Sequence, residues 1–435
     1  MNEKVRKFLC DEQVLADLIL LDEGVQSFRK AMESGLRGEE GLMMIPTYIT
    51  IGEKIPRGQK SIVLDAGGTN FRVATLYFDE DYNPVIENFA AYKMPGIDED
   101  LSREAFFDQI VDYLEPVVDQ ADRIGFCFSY PAEMYPDRDG RVINFSKEIQ
   151  LPEVIGAKIG ENILRQLEKR GLKHDHQISI LNDTVAALLG GRTHTERFGY
   201  DSNVGFILGT GTNSAYIEEI SNIEKILDQN LGRAHNGYMA INLESGNFVA
   251  NHLAPLDDEI DAATSEPGTY RFEKMISGRY QGMQALHLIR TAIKKSEIFS
   301  DFFAERFDHI ETLSSKDLDD FLYMPYGSNI LSQCCANVID RESLYWILDN
   351  IYERAARLVC INLAAIMEHA NIGKSPVRPV AITADGTTFY KSKLFSPKLN
   401  YYVRTYINDQ LGRYCEFMKV EHANLIGAAI AALTN

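Results

Sequence analysis

No stretch of the 435-residue chain approaches the ~20 consecutive apolar residues that a membrane-spanning helix needs. The opening segment, MNEKVRKFLCDEQVLADLILLDE, has no uninterrupted apolar core and no small-residue cleavage site, which argues against a secretory signal peptide. Its apolar positions recur at helical spacing and predict one amphipathic helix. Cysteine is scarce: Cys10, Cys127, Cys334, Cys335, Cys360 and Cys415 form no CxxC or Cys/His pattern. A zinc site and a disulfide framework are therefore not expected, and reduced, mostly buried thiols are. Basic residues are in deficit, with 44 Lys and Arg against 63 Asp and Glu, a net charge of −19 without one dominating charged tail. Such a surface repels nucleic acid and anionic membrane, so neither is expected as a partner. The reduced thiols and the lack of signal-peptide features lead to the expectation of a cytoplasmic protein. It does not exclude a nucleotide, because a phosphate site needs only local N–H groups, a metal and one or two cations. Low-complexity linkers are absent too, so the two or three domains expected from this length should share a tight interface.

What the chain does have is a glycine–threonine turn that occurs twice between strand-like runs. The first is IVLDAGGTNFRVATLYF (62–78) and the second VGFILGTGTNSAYIEE (204–219), with Gly-Thr-Asn at 68–70 and 211–213. Glycine turns expose backbone N–H groups and admit positive φ, which makes a concave anion site. Neither copy is a Walker A loop, and the second continues as a strand rather than opening a helix, unlike a dinucleotide fingerprint. A pair of ordinary hairpins is the alternative for either copy alone. Their pairing, with Asp65 beside the first, points to two related halves gripping one polyphosphate. Asp65 suits Mg²⁺ held through water, since Mg²⁺ keeps most of its hydration.

Between the turns, strands and helices alternate. Ser102 predicts an N-cap for a helix with Phe106, Phe107, Ile110, Val111 and Leu114 on one face. Arg123–Phe128 reads as a strand, Glu153–Arg170 as a helix closed by Gly171, and Gln177–Leu181 as a strand. That strand runs into Asn182-Asp183, where either residue suits an N-cap and a carboxylate suits proton acceptance from a hydroxyl. Downstream, Ile347, Ile351, Ala355, Leu358, Ile361 and Ala365 form a helical stripe. Pro255–Gly268 (PLDDEIDAATSEPG) reads as an acidic surface connection, and Val380–Ala384 as a strand before an Asp385-Gly386 turn. Asn242, Glu244 and Glu273 are polar residues in apolar runs, which suits a polyol ligand or a turn equally.

Eight segments in order resemble the hexokinases of the eukaryotic type. They are LDAGGTNFRV, FSYP…INFSKE, LNDTVAALL, ILGTGTNSAYIEE, MAINLESGNF, EPGTYRFEKMISG, ERAARLVCINLAAIM and VAITADGTTFYKSKLF, and MESGLRGEEGLMMIPTYIT ahead of them resembles the family too. The resemblance implies an α/β, two-domain actin-like ATPase fold (ribonuclease H-like) around a deep cleft. The small domain would hold 61–181 plus 418–435, and the large domain 1–60 plus 182–417. It implies ATP and Mg²⁺ as cofactors, a hexose as substrate, and a single catalytic unit acting as monomer or homodimer. Asp183 would accept the proton of the sugar 6-hydroxyl, and Lys147, beside Ser146, would stabilise the transferring phosphoryl group. Ser129, Asn182, Asn213, Glu244 and Glu273 would bind sugar hydroxyls. Asp65 would position Mg²⁺, with Gly67, Gly68, Thr69, Asn70 and Arg72 at the first phosphate turn. Gly209 and Thr210 would serve the second turn, and Gly386 and Thr387 would lie near the adenosine.

This sequence departs from the family pattern at three places. Ser245 stands where a tryptophan is usual, Ser146-Lys147-Glu148-Ile149 replaces Thr-Lys-Gly-Phe, and His422-Ala423-Asn424-Leu425 replaces Asp-Gly-Ser-Gly. The resulting expectation is phosphorylation of glucose, or also mannose or fructose, at the 6-hydroxyl. The alternatives are a silent sugar sensor, a kinase of another sugar such as an N-acetylhexosamine, and an actin- or chaperone-like ATPase module. A sensor would have no need of the base at Asp183.

Overall fold

The computed structural model describes residues 1–145, 149, 151–229 and 237–435. Two mixed sheets form its frame. The smaller joins β2 (Ser61–Gly67), β3 (Asn70–Phe78), β4 (Pro84–Lys93), β5 (Arg123–Phe128) and β8 (Gln177–Leu181) in the order β4-β3-β2-β5-β8. The larger joins β1 (Ile45–Ile51), β9 (Asn203–Leu208), β10 (Thr212–Glu219), β11 (Tyr238–Asn242), β12 (Val380–Asp385) and β13 (Cys415–Met418) in the order β1-β11-β10-β9-β12-β13. In each sheet an antiparallel meander is followed by two parallel strands. The runs β2, β3, β4, β5, β8 and β9, β10, β11, β12, β13 thus repeat one topology, with β1 added at an edge. Both glycine turns join the first two strands of their repeat, β2 to β3 and β9 to β10. A short ribbon of β6 (Ala132–Met134) and β7 (Gly140–Val142) follows β5.

Parallel strands are buried on both faces and need helical crossovers, which explains the apolar runs of β2, β5 and β12. Two helices, Asp183–Phe198 and the C-terminal Ala423–Leu433, lie between the sheets and share one apolar cluster with both. Val63, Leu76 and Cys127 enter it from the small sheet, and Ala215 and Ala240 from the large one. Close approach of backbones sets this layer: a Cβ at Gly427 would stand 2.0 Å from the Ala186 carbonyl oxygen. The long helix Val338–His369 runs through the core of the large-sheet side. Among the described residues, no helix is long and apolar enough to cross a membrane. All six cysteines are free thiols, with Cys127, Cys334, Cys335 and Cys360 buried and Cys10 exposed.

Three sequence expectations need correction. The amphipathic N-terminal helix stops at Asp11, where Gln13 takes φ 57° and the chain turns away. The helix expected over Glu153–Arg170 begins at Ile159, because the carboxylate of Asp139 accepts the N–H groups of Gly160 and Glu161 at 2.7 and 3.0 Å. That remote cap is what starts it. The 255–268 segment opens with a helix, Pro255–Ala262, rather than running as a surface connection. Pro255 sits in its first turn, Asp257 accepts the Ala254 N–H at 2.8 Å, and Asp257 pairs with buried Arg354 at 2.6 Å.

Candidate active site

Asn182 and Asp183 stand where β8 ends and the 183–198 helix begins. Asn182 is the N-cap, its Oδ1 accepting the Val185 N–H at 2.9 Å, which leaves its amide donor for the cleft. Asp183, the first helical residue, faces a cavity of about 290 Å³ between the two halves. That volume sits near the lower end of small-molecule sites, ~300–1,000 Å³. Ser129, Asn182, Asp183, Asn213 and Glu244 all line it, as does apolar surface from Ile45, Phe128 and Pro131. Burial pushes the Asp183 carboxyl up to about 7; the charges of Glu244 and Asp65 act in the same direction, against hydrogen bonds to Thr184. A base with a pKa near the working pH is well matched to proton transfer.

Glu244 takes a left-handed conformation, φ 53° and ψ 47°. Its Oε1 accepts from Asn242 Nδ2 at 2.7 Å and Asn213 Nδ2 at 3.2 Å. Asn213 also donates to Asn242 Oδ1 at 2.8 Å and accepts the N–H groups of Ser214 and Ser245. Its amide is fully engaged by protein, so a sugar contact there requires exchanging one of these bonds. Burial raises the Glu244 carboxyl, against the two asparagine donors. Glu273 stands outside the cavity lining and accepts the Thr212 N–H at 3.0 Å. Burial pushes it up to about 7, opposed first by that N–H. Ser146 and Lys147 lie outside the described residues.

The first glycine turn adjoins the cavity through Ser129, whose Oγ would stand 3.2 Å from a Cβ on Gly67. Gly68 takes φ 56° and its carbonyl accepts the Tyr130 hydroxyl at 2.8 Å. Gly68, Thr69, Asn70 and Arg72 are exposed. Asp65, buried at 2%, accepts from Arg72 Nη1 at 2.7 Å and from Asn424 Nδ2 at 3.2 Å. Burial raises its carboxyl and the Arg72 charge opposes that. At the second turn the Gly209 N–H donates to the Gly211 carbonyl, and the Gly209 carbonyl accepts from Gly278 N–H and Thr388 Oγ1, each at 2.9 Å. A Cβ on Gly209 would meet Gly386 Cα at 3.5 Å and Thr387 N at 3.6 Å, so these two segments converge. Thr210 and Thr387 are exposed beside them.

The donor set suits a hard, hydrated cation. No group of three His, Cys, Asp or Glu side chains gathers to hold a metal among the described residues. Asp65, beside the first glycine turn, is a carboxylate that could hold Mg²⁺ through water. Asn242, read from the sequence as suited to a polyol or a turn, joins the site, as do Tyr270 and Asn424, which the motifs did not single out for it. Asn242 and Tyr270 line the cavity, and Tyr270 takes φ 51°.

Two family models with the description hexokinase match the chain, one over residues 9–193 and the other over residues 203–434. The chain belongs to the hexokinase family. It is 27% identical to Hexokinase-2 of Rattus norvegicus, over 98% of this chain and 48% of that protein. It is also 27% identical to Hexokinase-3 of Homo sapiens (92% and 44%) and to Hexokinase-1 of Nicotiana tabacum (93% and 85%). The chain thus spans about half the length of the rat and human relatives. Among solved structures, a hexokinase from Schistosoma mansoni complexed with glucose superposes with a TM-score of 0.71 at 23% identity. It covers 99% of this chain and 97% of its own. Another hexokinase crystal structure gives 0.77 at 19% identity, covering 99% and 98%. These likenesses establish the two-domain, actin-like ATPase fold, and the repeated topology of the two sheets is its internal signature.

Proposed function

We propose that this chain transfers the terminal phosphoryl group of ATP to the 6-hydroxyl of a hexose, with glucose the first candidate and mannose or fructose next. The observation that carries this reading is Asp183 facing a largely apolar cavity into which Ser129, Asn182, Asn213 and Glu244 converge, its carboxyl pushed up to about 7. In this reading Asp183 takes the hydroxyl proton, and Ser129, Asn182, Asn213, Glu244 and Glu273 hold or align the other hydroxyls. The turn at Gly67–Asn70 with Arg72 and the turn at Gly209-Thr210 would flank the phosphates, although the Gly209 N–H is itself engaged by the Gly211 carbonyl, and Gly386 and Thr387 would face the nucleoside. Mg²⁺ beside Asp65 would supply neutralisation of phosphate charge. Phosphoryl transfer depends mainly on positioning and charge stabilisation, which this residue set can supply. The role of Lys147 rests on the resemblance alone.

Two domains, 61–181 with 418–435 and 1–60 with 182–417, would close on the hexose. Closure excludes water, which otherwise competes for the phosphoryl group. The Schistosoma mansoni hexokinase is complexed with glucose, which supports a hexose as the ligand class. ADP release measured across glucose, mannose, fructose and N-acetylhexosamines, with several phosphate donors, tests the reading. Hexose-dependent ADP release supports it; none with any hexose, despite hexose binding, favours a silent sensor.

A further inference from the structure

Behind Asn213 and Glu244 lies a second set of polar groups that no sugar can reach. Ser214 follows Asn213, Ser245 follows Glu244, and Asn362 lies within the 338–369 helix; all three are 0% exposed. Asn362 Nδ2 donates to Ser214 Oγ at 2.7 Å, and Ser245 Oγ donates to the same oxygen at 3.3 Å. The N–H groups of Ser214 and Ser245 both donate to Asn213 Oδ1, at 2.7 and 3.2 Å. The residue after each sugar-facing side chain is thereby tied to the other and to the long helix. Asn362 is flanked by fully apolar neighbours, Ile361 and Leu363, and its own Oδ1 finds no partner among the described residues.

Buried polar groups are costly unless bonded, so such a column persists where it fixes a conformation that apolar packing leaves loose. The conformation at stake is that of Glu244, whose left-handed backbone needs enforcement because a residue with a side chain rarely adopts it. At position 245 the family pattern places tryptophan, which would put a bulky ring where this chain makes a hydrogen bond.

We propose that Asn362 is a positioning residue for the hexose subsite, acting through Ser214 and Ser245 to set where Asn213 and Glu244 stand. The inference rests on the hexose reading above. Asn362→Leu keeps the number and branching of side-chain heavy atoms, at somewhat larger bulk, and removes the donor. Its expected result is an about tenfold weaker hexose Kd by calorimetry, with kcat at saturating hexose and the KM for ATP kept within about twofold. Ser245→Ala removes one bond without a large void, and an about threefold loss of hexose affinity is expected. The double variant should be no weaker than Asn362→Leu, since both changes act through Ser214 Oγ. Should Asn362→Leu fail to fold, Ser245→Ala carries the test. Wild-type hexose affinity in the folded variants, or equal weakening of hexose and ATP, overturns the proposal. A wild-type chain that binds no hexose at all overturns the hexose reading and this inference with it.

Discussion

Asn424 donates its side-chain amide to Asp65 Oδ1 at 3.2 Å, across 359 positions of sequence, while Arg72 holds Oδ2 at 2.7 Å. The start of the C-terminal helix is in this way fastened to β2, beside the first glycine turn. His422, with φ 56°, turns the chain into that helix. The buried Cys127 thiol also bonds to this carboxylate, a third partner beside Arg72 and Asn424. Asn424 lies in the segment that departs from the family's Asp-Gly-Ser-Gly, so this chain holds Asp65, the carboxylate proposed for Mg²⁺, with a donor of its own.

Asn424→Leu should raise the Mg²⁺ concentration for half-maximal turnover roughly tenfold, as outer partners of metal-binding groups commonly do. Hexose affinity should stay at the wild-type level. Titrating Mg²⁺ at fixed ATP, with Mn²⁺ binding followed by electron paramagnetic resonance, separates the two effects. An unchanged metal midpoint would detach Asn424 from the work of Asp65.

Gly211 admits no side chain as the site stands: a Cβ there would lie 2.6 Å from Glu273 Oε2. Gly211→Ala must push Glu273 off the Thr212 N–H. Hexose affinity should fall by roughly tenfold or more, the loss of a charged hydrogen bond and its alignment. Calorimetry gives the affinity, and a thermal melt within a few degrees of wild type would show that the fold survives. Undiminished affinity would remove Glu273 from the sugar-aligning set.

Asp183 and Glu273 are both pushed up to about 7, chiefly by burial. If Asp183 is the base, turnover should decline as pH falls through about 7. Stability runs the other way. Between the ordinary carboxyl range near 4 and about 7, the folded chain binds more protons than the unfolded one, so stability falls as pH rises through that window. Above about 7 the whole penalty is present. Asp183→Asn removes its share, so the ligand-free variant should be more stable than wild type at pH 8 and converge with it near pH 4. Urea unfolding at both pH values checks this, and equal stability at pH 8 would mean that Asp183 is not strained by its burial.

Much of this arrangement was legible in the residue order. Both glycine hairpins formed as read, Asn182 is the N-cap of the helix, and Asp183 faces the cavity, where the proposed role of base remains to be tested. Local pattern shows such features because turn chemistry and strand–helix junctions are written within a few residues. What escaped was set by distant partners. Asp139 decides where the 159–169 helix starts from some twenty positions away, and Arg354 helps hold Asp257 in a segment that reads as a loop. The contact of Asn424 with Asp65 and the ties of Asn213 to Asn242 and Glu244 leave no local signature either. The left-handed backbone at Glu244 and Tyr270 is likewise imposed by packing, as neither residue type announces it.

Asp183 is proposed to activate a hexose hydroxyl toward ATP. Wild type and Asp183→Asn, given glucose and Mg-ATP, should be followed for ADP release and hexose 6-phosphate, alongside glucose binding by calorimetry. Hexose-dependent turnover is expected in wild type, with a fall of about 10²-fold or more in the variant and glucose affinity largely kept. Near-normal turnover in Asp183→Asn, or a wild-type chain that binds glucose and releases no ADP, would contradict the proposal.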